Sequence, residues 1–323
     1  MGTLIGHVAP GVGFMLIGLW HLLNTIKAYG RQGDRDFVSR PWFPAAPPGH
    51  PRRRAELYLI ISGSLLSIAS ELFIFPHQHH PFVSRAALSI PAQHLNNFEH
   101  STISLFLLMY ASVAVLEDRG VLNLNLAGGF VHSLGSLAFA VELLLFHLHS
   151  ADHMGLEGHY HWLLQLIVSA CLVFTLVEIH TPRSFLASLG RATSIVFQGI
   201  WFIQMGLVLW VPRFTPTGCA MRDEGYHRLV RCEGEAASHR AKALATLQFA
   251  WYLAALCAAV VTWIALALRG PHANMSKSYE ALHFLHDPDD NESDPSASFK
   301  LELPRATSLE GLHGVKSTIN LPR

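Results

Sequence analysis

Seven apolar stretches, at approximately residues 4–28, 56–75, 95–117, 123–146, 160–180, 191–211 and 243–268, leave this chain few folds to choose from. Each is near or above the roughly 18 residues that a helix needs to cross the hydrocarbon core of a bilayer. In lipid the backbone must satisfy its own N–H and C=O groups, which only helices and closed barrels achieve. The runs are continuous and lack barrel-like alternation. The expected fold is therefore all-α, a seven-helix transmembrane bundle over residues 1–270. Composition agrees, with 50% hydrophobic and only 14% charged residues, where a soluble domain carries about a quarter charged. The formal charge is zero, so no basic excess argues for nucleic acid. The partner that composition names is the lipid bilayer, and protein partners are left unspecified.

Orientation follows from the loops. The first holds Lys27, Arg31, Arg35, Arg40, Arg52, Arg53 and Arg54, and a basic loop stays on the cytoplasmic side. The N-terminus is then lumenal or extracellular and the C-terminus cytoplasmic. The opening MGTLIGHVAPGVG has no basic n-region, so the first span is expected to act as its own targeting signal. The loop after the sixth span is basic although it should lie outside, and it carries Cys219 and Cys232. Two loop cysteines fit a disulfide in an oxidising lumen, with two free thiols as the alternative. From 271 to 323 the chain is polar and lacks an apolar period, so a disordered cytoplasmic tail is expected.

Histidine is the unusual component: 21 residues, against 23 lysines and arginines together. Many fall with acids at the outer ends of spans. Ser64, Ser67 and Glu71 form one stripe on the second span, and Asn97, His100 and Ser104 form one on the third, with Glu99 beside it. Glu142 lies a turn or so from the outer end of the fourth span, and His149 is in phase with it if that helix continues. Counted at about 1.5 Å per residue, Glu71, His100 and Glu142 lie at nearly the same depth. Ionisable groups inside a membrane face the bundle interior and mark function by default. Imidazoles with carboxylates suit zinc, copper or iron. The candidate ligands are Glu71, Glu99, His100, Glu142, His147, His149, Asp152, His153, His159 and His161. Three readings stay open: a metal site, a hydrogen-bonded Glu–His–Ser network that fixes helix packing, and a proton relay.

A second pattern pairs His7 with His21 on span one and His132 with His147 on span four. Such spacing resembles the ligation of two stacked haems, a dihaem electron carrier. The other reading is that His21 and His132 hydrogen-bond between helices. Gly6, Gly11, Gly13 and Gly18 offer close helix approach on span one. Gln198 and Gln204 are expected to join helices within the bilayer.

Several long strings carry a family resemblance: GHVAPGVGFMLIGLWHL at 6–22, NNFEHSTISL at 96–105, LLFHLHSADHMGLEGHYHWLLQ at 144–165 and FQGIWFIQMGLVLW at 197–210. With the Gly218-Cys219 and Arg231-Cys232 pairs, the chain resembles the transmembrane protein 45 family over about residues 1–268. The likeness is to its plant branch in particular, the viral-response-like membrane proteins. The resemblance implies a multi-pass protein of Golgi, endosomal, lysosomal or plasma membranes. It implies no established enzymatic activity, and only loose links to trafficking or defence as a non-enzymatic component.

Overall fold

The computed structural model of the protein describes residues 3–74, 90, 94–122, 129–148, 155–224 and 227–269. Among these, seven helices are long and apolar enough to cross a membrane. They are α1 (Leu4–Asp36), α2 (Ala55–Ala69), α3 (Leu95–Asp118), α4 (Gly129–His147), α5 (Gly155–His180), α6 (Phe185–Trp210) and α7 (Gly234–Ala267). Helix α2 is lengthened by a 3-10 turn at Pro51–Arg54 and by a π turn at Ser70–Ile74. The end of the bundle at which α1 begins is termed upper. Consecutive helices run antiparallel, so α2, α4 and α6 end at the upper face and the remaining four begin there. The expected disordered tail, 271–323, lies outside the described residues, as do His149, Asp152 and His153.

Local chemistry sets several helix starts. The Thr3 hydroxyl accepts the Gly6 N–H (2.9 Å) ahead of α1, and Ser184 does the same for Ala187 (3.2 Å) ahead of α6. Each satisfies one of the orphan donors of a first turn. The expected glycine face on α1 is half realised. Gly11 and Gly18 lie against α6, Gly11 meeting Gly199 and Gly18 meeting Ile195 and Val196, whereas a Cβ on Gly13 would enter open space and one on Gly6 would meet its own helix's Thr3. A Cβ on Gly18 would fall 2.5 Å from the Val196 backbone nitrogen. Side-chain-free contact of this kind lets backbones approach closely in a membrane. It makes α1–α6 the most extensive pairing in the bundle.

The interior of the bundle is centred on α5 and α6, where Tyr160, Leu164, Val168, Trp201 and Met205 are fully buried. Helix α7 gives this core only Ala241 and Ala245 among its buried residues. Its surface is apolar nearly all round and mostly exposed, as befits a helix bathed in lipid. Gln248 ties it to the bundle by accepting from Tyr160 (3.0 Å) and Gln204 (3.2 Å). The expected gluing role of Gln204 is thus observed.

Between α6 and α7 the chain forms a small antiparallel hairpin, β1 (Cys219–Glu224) and β2 (His227–Cys232), with Cys219 opposite Cys232 and a disulfide joining them. The hairpin lies against the upper ends of α5 and α7, and Val230 packs into the core. Cys171 and Cys257 are free thiols. Denatured but unreduced protein is expected to take up an alkylating reagent at Cys171 and Cys257 alone. Labelling of all four cysteines in mass spectrometry would count against the bridge.

Candidate functional site

Polar side chains gather in three tiers inside the bundle. At the upper face, the stripes on α2 and α3 meet as their spacing predicts. Ser67 and Ser104 share a hydrogen bond of 2.8 Å, and one turn above it Glu71 accepts from Asn97 (2.7 Å) and pairs with His100 Nδ1 (3.3 Å). Glu71 stands in the π turn, a device often found at functional sites. Across from this pair, His7 of α1 stacks on Trp210 (4.4 Å between ring centroids) and meets His161 of α5 edge-on (6.2 Å). His7 Nδ1 donates to Thr3 O (2.9 Å) and His161 Nδ1 to Glu157 O (3.0 Å), so Nδ1 of each ring carries a proton. His7 is close enough to both His161 and His100 for their charges to interact.

The other expected ligands are dispersed. Glu99 is half-buried on the second turn of α3. His147 is the last residue of α4 and bonds Gln165 at 3.1 Å. His159 bonds Thr246 of α7 at 2.9 Å. The segment expected to be a loop up to His159 is already helix from Gly155. Two residues apart on a helix point to opposite sides, which sends His159 outward to α7 and His161 inward. Among the described residues no group of three or more His, Cys, Asp or Glu side chains is arranged to hold a metal ion.

Glu142 is the main departure from expectation. It is 2% exposed and receives the Gln198 amide at 2.6 Å, while the Cys171 thiol donates to the other end of that amide at 3.4 Å. This middle tier joins α4, α5 and α6, whereas Glu71 and His100 belong to the α2–α3 seam. Similar depth did not bring the three to one pocket, because azimuth is decided by which helix each face packs on.

Of the lower tier, only His21 and His132 are expected from the sequence. Six helices each deliver one polar or ionisable residue: His21, Glu56, Tyr110, His132, Glu178 and Arg191, from α1 to α6 in order. Arg191 is the hub. Its Nε donates to Glu178 Oε2, its Nη1 to His21 Nδ1 (3.0 Å) and its Nη2 to Arg40 O (2.9 Å). Since Arg191 can only donate, His21 must hold its proton on Nε2, which donates to Glu56 Oε1 (2.7 Å). Glu56 Oε2 accepts the Phe43 N–H (2.8 Å), and His132 Nε2 stands 3.9 Å from Glu178 Oε2. The Tyr110 hydroxyl donates to Pro41 O within the field of Glu56, Arg191 and Glu178.

His21 and His132 therefore share a network rather than a bond. Both ring nitrogens of His21 are engaged and α1 packs on α6, which leaves that histidine no nitrogen for an iron. The dihaem arrangement is not the one observed. Glu178 and Arg191 sit at span ends, where charge normally reads as interfacial. The available signal was the spacing of Glu178 and Arg191 across a short antiparallel turn.

These observations define a seven-helix membrane bundle with a buried polar interior. A family model described as a family of unknown function, DUF716, matches residues 128–265. The match spans α4 to α6, the hairpin and nearly all of α7, and so includes His132, Glu142, His161, Glu178, Arg191 and Gln198.

Proposed function

We propose that this multi-pass membrane protein is related to the transmembrane protein 45 group and binds a transition metal at its upper face, zinc, copper or iron. The observation that carries the reading is the fixed tautomer of His7 and His161, each with Nδ1 committed to a backbone carbonyl. Metal-binding imidazoles are held in this way, their other nitrogen bonded to a carbonyl or carboxylate. The Glu71–His100 pair beside them has the same character. Further ligands would come from His149, Asp152 and His153, which the sequence places between α4 and α5. The upper face is assigned to the lumen or exterior, because the Cys219–Cys232 bridge belongs to an oxidising compartment. The tail from 271 is then cytoplasmic, and the residence is a Golgi, endosomal, lysosomal or plasma membrane.

Elemental analysis of detergent-purified full-length protein tests this. About one metal ion per chain is expected, with at least a tenfold loss of affinity in His7→Ala and His161→Ala, the scale on which removing metal-site partners acts. Metal-free wild-type protein from metal-replete cells would overturn the reading. A non-enzymatic role in trafficking or defence would then take its place.

A further inference from the structure

The lower tier, independent of the metal reading, has an excess of buried oxygen and one uncompensated charge. Four buried oxygens of this tier have no hydrogen-bond partner among the described residues: Thr25 Oγ1, Ser39 Oγ, Ser188 Oγ and Glu178 Oε1. Thr25 is 0% exposed, and Ser188 and Glu178 are each 1% exposed. All four border the Arg191 hub. Thr25 is one turn below His21, and Ser188 is one turn below Arg191. Ser39 adjoins Arg40, whose carbonyl Arg191 holds, and Glu178 Oε1 is the second oxygen of the carboxylate that Arg191 binds. The antiparallel register that sets Gly18 against Ile195 and Val196 brings Thr25, seven residues on, level with Ser188.

Glu56 accepts two hydrogen bonds, one on each oxygen, from neutral His21 and a backbone amide, as an ionised carboxylate does. Glu56 and Glu178 then bring two negative charges against the single guanidinium of Arg191. The other groups facing Glu178 are accounted for element by element. Tyr110 donates to a carbonyl, Arg40 enters only through its carbonyl, and α7 offers Leu256, Val260 and Ile264. Arg53 and Arg54 are bound to Asp118 at the lower rim. His132, 3.9 Å away, is titratable. A lone negative charge inside a low-dielectric bundle is expensive, so a positive charge belongs there.

We propose that the lower tier binds one monovalent cation at Glu178. It is either an alkali ion, completed by the Thr25 and Ser188 hydroxyl oxygens, or a proton, shared with His132. Hydroxyl and carboxylate oxygens are the ligands that hard cations take. The reading concerns equilibrium binding and needs no transport.

Thermal unfolding of the full-length protein in detergent separates the two sources. Choline, sodium and potassium chlorides are compared at constant ionic strength, each at a mildly acidic and a mildly alkaline pH. An alkali ion raises the midpoint saturably when sodium or potassium replaces choline. Thr25→Val then raises the half-saturating concentration about tenfold, Thr25→Ser restores it, and Glu178→Gln abolishes the response. A proton instead gives a midpoint indifferent to the salt that falls with rising pH, the slope reporting one proton lost on unfolding. Glu178→Gln flattens that slope, and so does His132→Gln, which serves if the first variant does not fold. A wild-type midpoint indifferent to both cation and pH overturns the proposal. So does a response that persists unchanged in Glu178→Gln.

Discussion

Replacing Arg191 by Met is expected to destabilise the bundle by about 3–5 kcal/mol, the range found when one partner of a buried ion pair is removed. The substitution keeps most of the apolar stem and removes only the guanidinium. Glu178 and Glu56 then lose the guanidinium they share, and His21 Nδ1 and the Arg40 carbonyl lose their donor. The measurement is the thermal midpoint and the monodisperse yield by size exclusion. The pair Arg191→Met with Glu178→Met should recover a large part of the loss, since it takes out the stranded charge together with its partner. A double variant no more stable than Arg191→Met would mean that shape, not charge, holds this tier together.

The second large effect lies on the α1–α6 seam. Gly18→Ala and Gly199→Ala are each expected to cost about 1–3 kcal/mol, the usual penalty of overpacking. The added methyl meets backbone rather than a flexible side chain: Val196 N for Gly18, and Gly11 O at 2.6 Å for Gly199. Gly13→Ala, whose methyl enters open space, should instead be neutral or stabilise by up to about 1 kcal/mol through helix propensity. If all three variants have the same thermal midpoint, α1 and α6 do not meet in this register.

Some of the upper tier was legible beforehand because it depends on period alone. Ser64, Ser67 and Glu71 lie on one face of α2 and Asn97, His100 and Ser104 on one face of α3, and adjacent antiparallel helices brought the two stripes together. Glu142 was harder to place. Its depth could be counted along the helix, but its direction could not, and it turned to Gln198. The partners of Gly11 and Gly18 were also hidden, because Gly199 and Val196 lie on a helix nearly two hundred residues away.

What this sequence determined alone was therefore whatever one helix and a bilayer decide between them. That is the number and approximate limits of the spans, the alternating path of the chain, and which residues share a face. The tertiary structure decided the rest: that α1 packs on α6, that His159 and His161 part company, and that the tier around Arg191 draws one residue from each of five other helices. The physical reason is that hydropathy sets position along the membrane normal, whereas rotation about it is set by side-chain packing between segments far apart in the chain.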